Sequence, residues 1–272
     1  MRNIRQSRLE GKTPIMALSP DFRTYTGATR AAETAAVLDA GLRAYMLRVY
    51  NWMASGLVLT GIVAYGIAST SLFDLFYPLV MTPRGPMHAP GGLAWISMFA
   101  PLAFVLVLQF GVNKLSTTAV QGLYWAFCIA MGASLTNIFL MYTHESIVRV
   151  FFITAATFGA TSLYGYTTRA DLTKMGSFMM MGLFGIIIAS LVNMFVGSTA
   201  LQFAISVIGV LVFVGLTAYD TQRIKADYVQ FAYASGPDMA AKRSVYDSLQ
   251  LLLNFINLFM LLLQLLGNRN NN

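Results

Sequence analysis

The sequence predicts an all-α polytopic membrane protein with seven transmembrane helices, and two observations carry this prediction. Of its 272 residues, 57% are hydrophobic and 11% are charged, whereas soluble globular chains are about 45–50% apolar and about 25% charged. The apolar residues also fall into seven stretches of about 20 residues, the length that a helix needs to cross a bilayer. High hydrophobicity excludes a disordered chain. A single cysteine, Cys128, excludes a disulfide framework.

The chain divides into two short polar ends and one transmembrane domain. Residues 1–45 are predicted to form a cytoplasmic N-terminal tail with an interfacial helix, and residues 268–272 a short polar tail. The domain between them covers residues 46–267. Only residues 197–199 separate the fifth span from the sixth, which predicts a tight helical hairpin. The seven predicted spans are 46–68, 93–112, 119–142, 148–166, 176–197, 199–220 and 248–266.

Two connections are longer than a turn, and the charges divide unequally between the two sides. Residues 69–92 are predicted to form a proline-rich external loop, and residues 221–247 an internal loop of mixed charge. Of the 18 Lys and Arg residues, 15 lie on the side of the N-terminus and 3 on the other side. The positive-inside rule therefore predicts a cytoplasmic N-terminus and an outside C-terminus. Basic residues flank apolar runs without interleaved aromatic clusters, so we expect no nucleic-acid partner.

One carboxylate lies within reach of the membrane interior. A charged side chain costs about 2.5–3.5 kcal/mol at the centre of a transmembrane helix, and Asp220 lies at the inner end of the sixth span. One interpretation is an interfacial carboxylate that is solvated or paired with Arg223. The other is a partly buried titrating group that lines a cation path.

The seventh span carries a polar stripe at helical spacing. Asp247 and Asn254 are seven residues apart and share a face, and Gln250 lies between them near the same face. Asn257 continues the polar content. These side chains are either interhelical hydrogen-bonding groups, worth about 0.6–2 kcal/mol each, or the hydrophilic lining of a path.

Enzyme signatures are weak, and small residues recur within the spans. His88 and His144 have no metal-ligand spacing to another His, Cys or acid, and no phosphate-binding loop is present. We therefore expect no enzymatic activity and no bound cofactor.

Small residues four apart, such as Ala155/Gly159 and Gly185/Ala189, predict close helix contacts.

Several motifs resemble those of a known family. They are Ser162-Leu-Tyr-Gly-Tyr-Thr167, Ala189-Ser-Leu-Val-Asn193, Thr217-Ala-Tyr-Asp-Thr-Gln-Arg223 and Asn254-Phe-Ile-Asn-Leu-Phe259. From about residue 40 to Gly267 the chain resembles the bacterial branch of the Bax inhibitor-1 family, the transmembrane Bax-inhibitor-motif proteins. The resemblance implies six helices around a central seventh helix, and a location in the bacterial inner membrane. It also implies a pH-sensitive calcium leak, in which two aspartates on spans six and seven share a proton and gate the path from the cytoplasmic side.

This chain matches only one of those two aspartates. The aspartate of span six corresponds to Asp220, but Asn254 stands where the family often carries the aspartate of span seven. Asparagine cannot titrate. Gln264 likewise replaces the usual arginine near the end of that span. Asp247 lies on the Asn254 face about 10 Å nearer the cytoplasm, so we hypothesise that Asp220 and Asp247 form a shifted acidic site.

The leading hypothesis is a pH-sensitive calcium leak channel or transporter in the lipid bilayer, with calcium ions and protons as its partners. Hard cations need oxygen ligands, and Asp220 is expected to be a Ca²⁺ ligand. The alternative is a non-conducting regulatory protein that binds other membrane proteins, such as a membrane protease, through its tail and cytoplasmic loops. The residues assigned to the ion path and pH gate are Asp220, Asn254, Asp247 and Asn257, supported by Arg223 and Gln250.

Overall fold

The fold is helical and membrane-spanning, as the sequence predicts. The structure is a computed structural model that describes residues 21–82, 85–111, 114–231 and 237–270. Seven helical segments within these ranges are long and apolar enough to cross a membrane. They are Ala36–Ala68, Gly92–Gly111, Thr117–Met141, His144–Thr167, Thr173–Val196, Thr199–Gln230 and Asp238–Leu266.

The described elements are nine helices and a short hairpin. The third span consists of two helices, α4 and α5, and each of the other spans lies within one helix. In chain order the elements are α1 (Asp21–Ala68), α2 (Leu72–Phe76), β1 (Leu79–Thr82), β2 (Gly85–His88), α3 (Gly92–Gly111), α4 (Thr117–Leu135), α5 (Ile138–Met141), α6 (His144–Thr167), α7 (Thr173–Val196), α8 (Thr199–Phe231) and α9 (Pro237–Leu266).

Local capping sets several helix ends. The Ser116 hydroxyl accepts a hydrogen bond from the Ala119 amide at the start of α4, and Thr143 caps α6 in the same way. Helix α7 ends at Val196 and is capped by Gly197, whose φ of +66° is a left-handed conformation that glycine adopts without strain. Because α8 begins two residues later, the predicted tight hairpin between the fifth and sixth spans is confirmed.

Two predicted loops contain regular structure. The prediction of a long internal loop over residues 221–247 is wrong, since α8 continues to Phe231 and α9 already begins at Pro237. The predicted spans end where the apolar residues end, but polar residues can continue the same helix beyond that point. Residues 69–92 contain α2 and an antiparallel hairpin in which Leu79 pairs with His88.

The N-terminal part of the chain belongs to a different compact unit from the spans. One unit ends at Gly41 and the other begins at Leu42. Helix α1 begins at Asp21, so the tail predicted over residues 1–45 is helical from Asp21 onward. Residues 1–20 of the predicted tail, and residues 271–272 of the polar C-terminus, lie outside the described residues.

Hydrogen bonds that involve the segments connecting the helices identify the two ends of the helix bundle. Lys242, near the start of α9, donates a hydrogen bond to the Leu115 carbonyl between α3 and α4. Gln222 of α8 donates to the Ala170 carbonyl between α6 and α7. We call this end, which also carries Lys114, the basic end. At the opposite end, the Thr143 amide donates to the carbonyl of Asn268, just after α9.

Helix α9 is the most deeply buried of the seven spans. In its most apolar window 61% of the residues are buried, against none in the corresponding window of α7. It packs against α4, α6 and α8. The arrangement of all six other spans around it stays a prediction. Helices α6 and α8 approach closely at Gly165, where a β-carbon would overlap the Ala218 backbone.

Candidate site at the α8–α9 contact

A buried carboxylate lies where α8 packs against α9. Asp220 lies two-thirds of the way along α8, toward the basic end, and only 3% of its surface is exposed. Its neighbours Thr217 and Thr221 are fully buried, and both hydroxyls donate to carbonyls one turn earlier in the helix. One polar face of α8 therefore enters the protein core beside α9.

Three donors surround the Asp220 carboxylate. Its Oδ1 atom lies 3.0 Å from an Arg223 guanidinium nitrogen. Its Oδ2 atom accepts a hydrogen bond from Asn254 Nδ2 at 2.7 Å and a longer one from Gln250 Nε2 at 3.4 Å. The carboxylate is therefore buried and also paired with Arg223, while its place on a cation path stays a prediction. We call these four residues the Asp220 site.

The Asp220 site combines an ion pair to Arg223 with hydrogen bonds from the side-chain amides of Asn254 and Gln250. Arg223 lies one turn along α8, and its side chain is 40% exposed, so its charge remains in contact with the membrane surface or water. Asn254 is 2% exposed and supplies a donor from α9 without needing a proton. A carboxylate satisfied in this way avoids the cost of several kcal/mol that an unpaired buried charge incurs.

A chain of hydroxyl groups begins beside the Asp220 site. Thr221 Oγ1 lies 2.9 Å from Ser162 Oγ of α6, which lies 2.5 Å from the Tyr50 hydroxyl of α1. The chain thus links three helices at one level of the bundle. Composition and spacing gave no signal for Tyr50, because a tyrosine in an apolar run is read as a packing residue.

Asp247 does not join Asp220. Its Oδ2 atom accepts a hydrogen bond from the Tyr45 hydroxyl of α1 at 2.5 Å, and Asp220 has no contact with it among the described hydrogen bonds and ion pairs. Arg223 acts electrostatically on both carboxylates. The hypothesis of a directly shared acidic site therefore becomes one of two separate carboxylates with a common arginine neighbour.

Two other polar residues of α9 lie apart from the Asp220 site. Asn257 is exposed and makes no hydrogen bond with the described residues. Gln264 accepts a hydrogen bond from the Ser206 hydroxyl at 2.9 Å, toward the end opposite the basic end. The structure therefore brings together Asp220, Arg223, Gln250 and Asn254, and it leaves Asp247 and Asn257 outside.

Tyr45 is not among the predicted site residues, although it is the direct partner of Asp247. It is buried, and its ring stacks on Tyr228 of α8 at a centroid distance of 4.8 Å. Leu42, Tyr45 and Val49 follow at helical spacing and are all buried. That spacing could have identified the buried face of α1, but not the hydrogen-bond partner across the bundle.

The Asp220 site can bind a hard cation only after rearrangement. In the described residues no group of three or more His, Cys, Asp or Glu side chains lies close enough to hold a metal ion. Both carboxylate oxygens of Asp220 already face nitrogen donors. A calcium ion needs oxygen ligands, so Arg223 and the amide groups would have to move or turn.

These features define the class of the protein: it is an integral membrane protein of seven spans, with a buried, hydrogen-bonded carboxylate between the sixth span and the seventh. A family model described as inhibitor of apoptosis-promoting Bax1 matches residues 42–271. The chain belongs to the Bax inhibitor-1 family, and the resemblance seen in its motifs is confirmed. The match begins where the compact unit of spans begins, at Leu42.

Curated relatives cover the same part of the chain. A protein of Rickettsia prowazekii is 46% identical over 232 residues, covering 85% of this chain and 92% of the relative. A protein of Caulobacter vibrioides is 45% identical, covering 85% of this chain and 90% of its own. The inner membrane protein YbhL of Escherichia coli is 42% identical, covering 85% of this chain and 94% of its own.

Proposed function

We propose that this protein is a calcium leak of the bacterial inner membrane, opened by protonation of the Asp220 site, with its N-terminus in the cytoplasm. The single observation that carries the proposal is a buried carboxylate that ties the sixth span to the seventh. The location is supported by the relative YbhL, an inner membrane protein of Escherichia coli, and the orientation by the 15 to 3 division of Lys and Arg.

The contacts of Asp220 suggest how the closed state is held. Asn254 and Gln250 tie Asp220 of α8 to α9, and Arg223 holds the charge of the carboxylate. An ion that passes between α8 and α9 must separate these groups. A proton on Asp220 removes the ion pair with Arg223, so separation costs less. Calcium flux is therefore expected to rise as the pH falls.

An open site would present oxygen atoms to the ion. When α8 and α9 separate, Asp220 can offer its carboxylate, and Asn254 can turn its carbonyl oxygen toward the gap. Asp247 would supply a second carboxylate nearer the basic end once Tyr45 releases it. Asn257, which is exposed, would contribute only if α9 rotates.

Asn254 makes this gate different from one in which two aspartates share a proton. An aspartate at this position could donate to Asp220 only when protonated, whereas the amide donates at every pH. The contact between α8 and α9 thus persists without a shared proton. The remaining pH-sensitive element is the Asp220–Arg223 pair, with Asp247 and its neighbours Arg243, Arg223 and Asp227 as the nearby charged groups.

Calcium flux into liposomes that contain the full chain tests the proposal. An enclosed calcium indicator reports flux across a pH series for the wild type, Asp220→Asn and Asp227→Asn. Asp227 is a matched control, since it also pairs with an arginine at 3.1 Å, Arg243 of α9, but its side chain is 30% exposed. We expect Asp220→Asn to remove the pH dependence and Asp227→Asn to preserve it.

Absence of flux at every pH would overturn the proposal. In that case the regulatory alternative, a protein that binds other membrane proteins, becomes the better account. Deletion of residues 1–35 separates the two functions: it should abolish partner binding under the alternative and leave flux unchanged under the proposal.

A further inference from the structure

An apolar groove opens between the first and fourth spans, away from the Asp220 site. The cavity has a volume of about 550 Å³ and lies between α1 and α6, with Phe255 of α9 among its lining residues. Phe255, Phe158 and Met53 are buried and contribute to its inner wall. We call this cavity the α1–α6 groove.

The α1–α6 groove has the length of a lipid chain in one leaflet. It extends from Arg43 to Leu57 along α1, and the fourteen rises of about 1.5 Å between these residues give about 21 Å. Along α6 it extends from Phe151 to Tyr166, which gives a similar length. The hydrocarbon core of a bilayer is about 30 Å thick, so one leaflet contributes about 15 Å. The groove is therefore long enough to span one leaflet and to reach the level of the headgroups.

The α1–α6 groove is open from the side. Leu47 and Leu163, which also line it, are exposed. Gly159 lines it as well, and a β-carbon placed there would meet no atom within 4 Å. Exposed apolar residues in a membrane span are expected to face acyl chains, so a lipid can enter laterally without passing through the protein.

Charged groups lie at the basic end of the groove. Arg43 is exposed and has no hydrogen bond or ion pair with the part of the chain that the structure describes. Lys225 of α8 adds a second positive charge: its Nζ donates to the Tyr166 carbonyl at 3.0 Å and lies 5.1 Å from the Tyr166 ring centre. The headgroup end is thus positively charged, and the remainder is apolar apart from Tyr50 and Ser162, whose hydroxyls pair with each other.

We propose that the α1–α6 groove binds one anionic glycerophospholipid, with an acyl chain along α1 and α6 and the phosphate at Arg43. The length of the groove, its lateral opening and the charge at one end all match this occupant. The proposed lipid site does not depend on ion flux between α8 and α9, so either proposal can be refuted without the other.

Native mass spectrometry of the full chain in nanodiscs tests the lipid site. The nanodiscs contain equal amounts of phosphatidylglycerol and phosphatidylethanolamine, and the lipid retained per chain is measured on release. We expect the wild type to retain phosphatidylglycerol preferentially. Arg43→Gln should lower this preference about fivefold, which corresponds to about 1 kcal/mol for one basic residue at the membrane surface. Arg48→Gln, on the same helix but outside the groove lining, is the matched control.

A second pair of variants tests the apolar part. Gly159→Phe fills the groove and should lower retention of both lipids, whereas Gly185→Phe, at a position of α7 that is equally free of neighbours, should not. Helix content by circular dichroism and monodisperse elution establish folding for all four variants. Equal retention of the two lipids by the wild type, equal effects of the two arginine variants, or equal effects of the two glycine variants would overturn the proposal.

Discussion

Replacing Asn254 with aspartate tests the Asp220 contact directly. The Asn254 amide now donates to Asp220 at 2.7 Å, a hydrogen bond to a charged group worth about 1.5–3 kcal/mol. Asn254→Asp exchanges this donor for a second carboxylate of nearly the same shape. Two full negative charges at that distance repel by about 6 kcal/mol at an effective dielectric constant of about 20.

A proton shared between the two carboxylates would remove this repulsion. The free energy of proton uptake becomes less favourable by about 1.4 kcal/mol for each unit of rising pH. We therefore expect Asn254→Asp to approach wild-type stability at acidic pH and to lose stability progressively as the pH rises. The wild-type contact needs no shared proton, so its own stability should change less over the same range.

Apparent melting temperature in detergent across a pH series measures the effect. Asn254→Leu is the control, because it removes the hydrogen bond without adding a carboxylate and should lower stability by an amount that depends little on pH. If Asn254→Asp melts at the wild-type temperature at every pH, the two side chains are not in contact and the reasoning is refuted.

Two further variants test the packing around the site. Gly165→Ala forces a methyl group against the Ala218 backbone and should destabilise the α6–α8 contact by about 1–3 kcal/mol, while Gly159→Ala on the open face of α6 should not; equal melting temperatures would contradict this. Tyr45→Phe removes the hydrogen bond to Asp247 and should cost about 1.5–3 kcal/mol, so an unchanged melting temperature would mean that this hydrogen bond contributes nothing.

The spans were predictable because they depend on local sequence. An apolar run of about 20 residues needs no knowledge of its neighbours to be identified as a membrane helix. The ends were less predictable, since α8 continues past Asp220 into polar residues as far as Phe231. Polar helix ends outside the apolar core lack the hydropathy signal on which the assignment depends.

The Asp220 site was predictable in part. The sequence singles out Asp220 by the scarcity of charge and gives α9 a polar stripe by helical spacing, and only its resemblance to the family set Asn254 opposite Asp220. It could not predict that Asp247 binds Tyr45, because that contact depends on how α1 packs against α9 across about 200 positions of sequence.

Small residues also needed the structure for their interpretation. Spacing predicted close contacts at Ala155/Gly159 and Gly185/Ala189, but β-carbons at Gly159 and Gly185 would meet no atom within 4 Å. These two glycines therefore mark open surfaces, and the close approach of α6 to α8 occurs at Gly165 instead. Residue spacing identifies the helix faces that small residues line, but only the packing of the helices decides which of these faces is covered.

The central claim is that protonation of Asp220 controls calcium passage. The most direct measurement compares calcium flux at mildly acidic and mildly alkaline pH in liposomes that contain the wild type or Asp220→Asn. We predict that wild-type flux rises on acidification, and that Asp220→Asn, which cannot form the ion pair with Arg223, conducts equally at both pH values. A variant whose flux rises on acidification as much as that of the wild type would contradict the account.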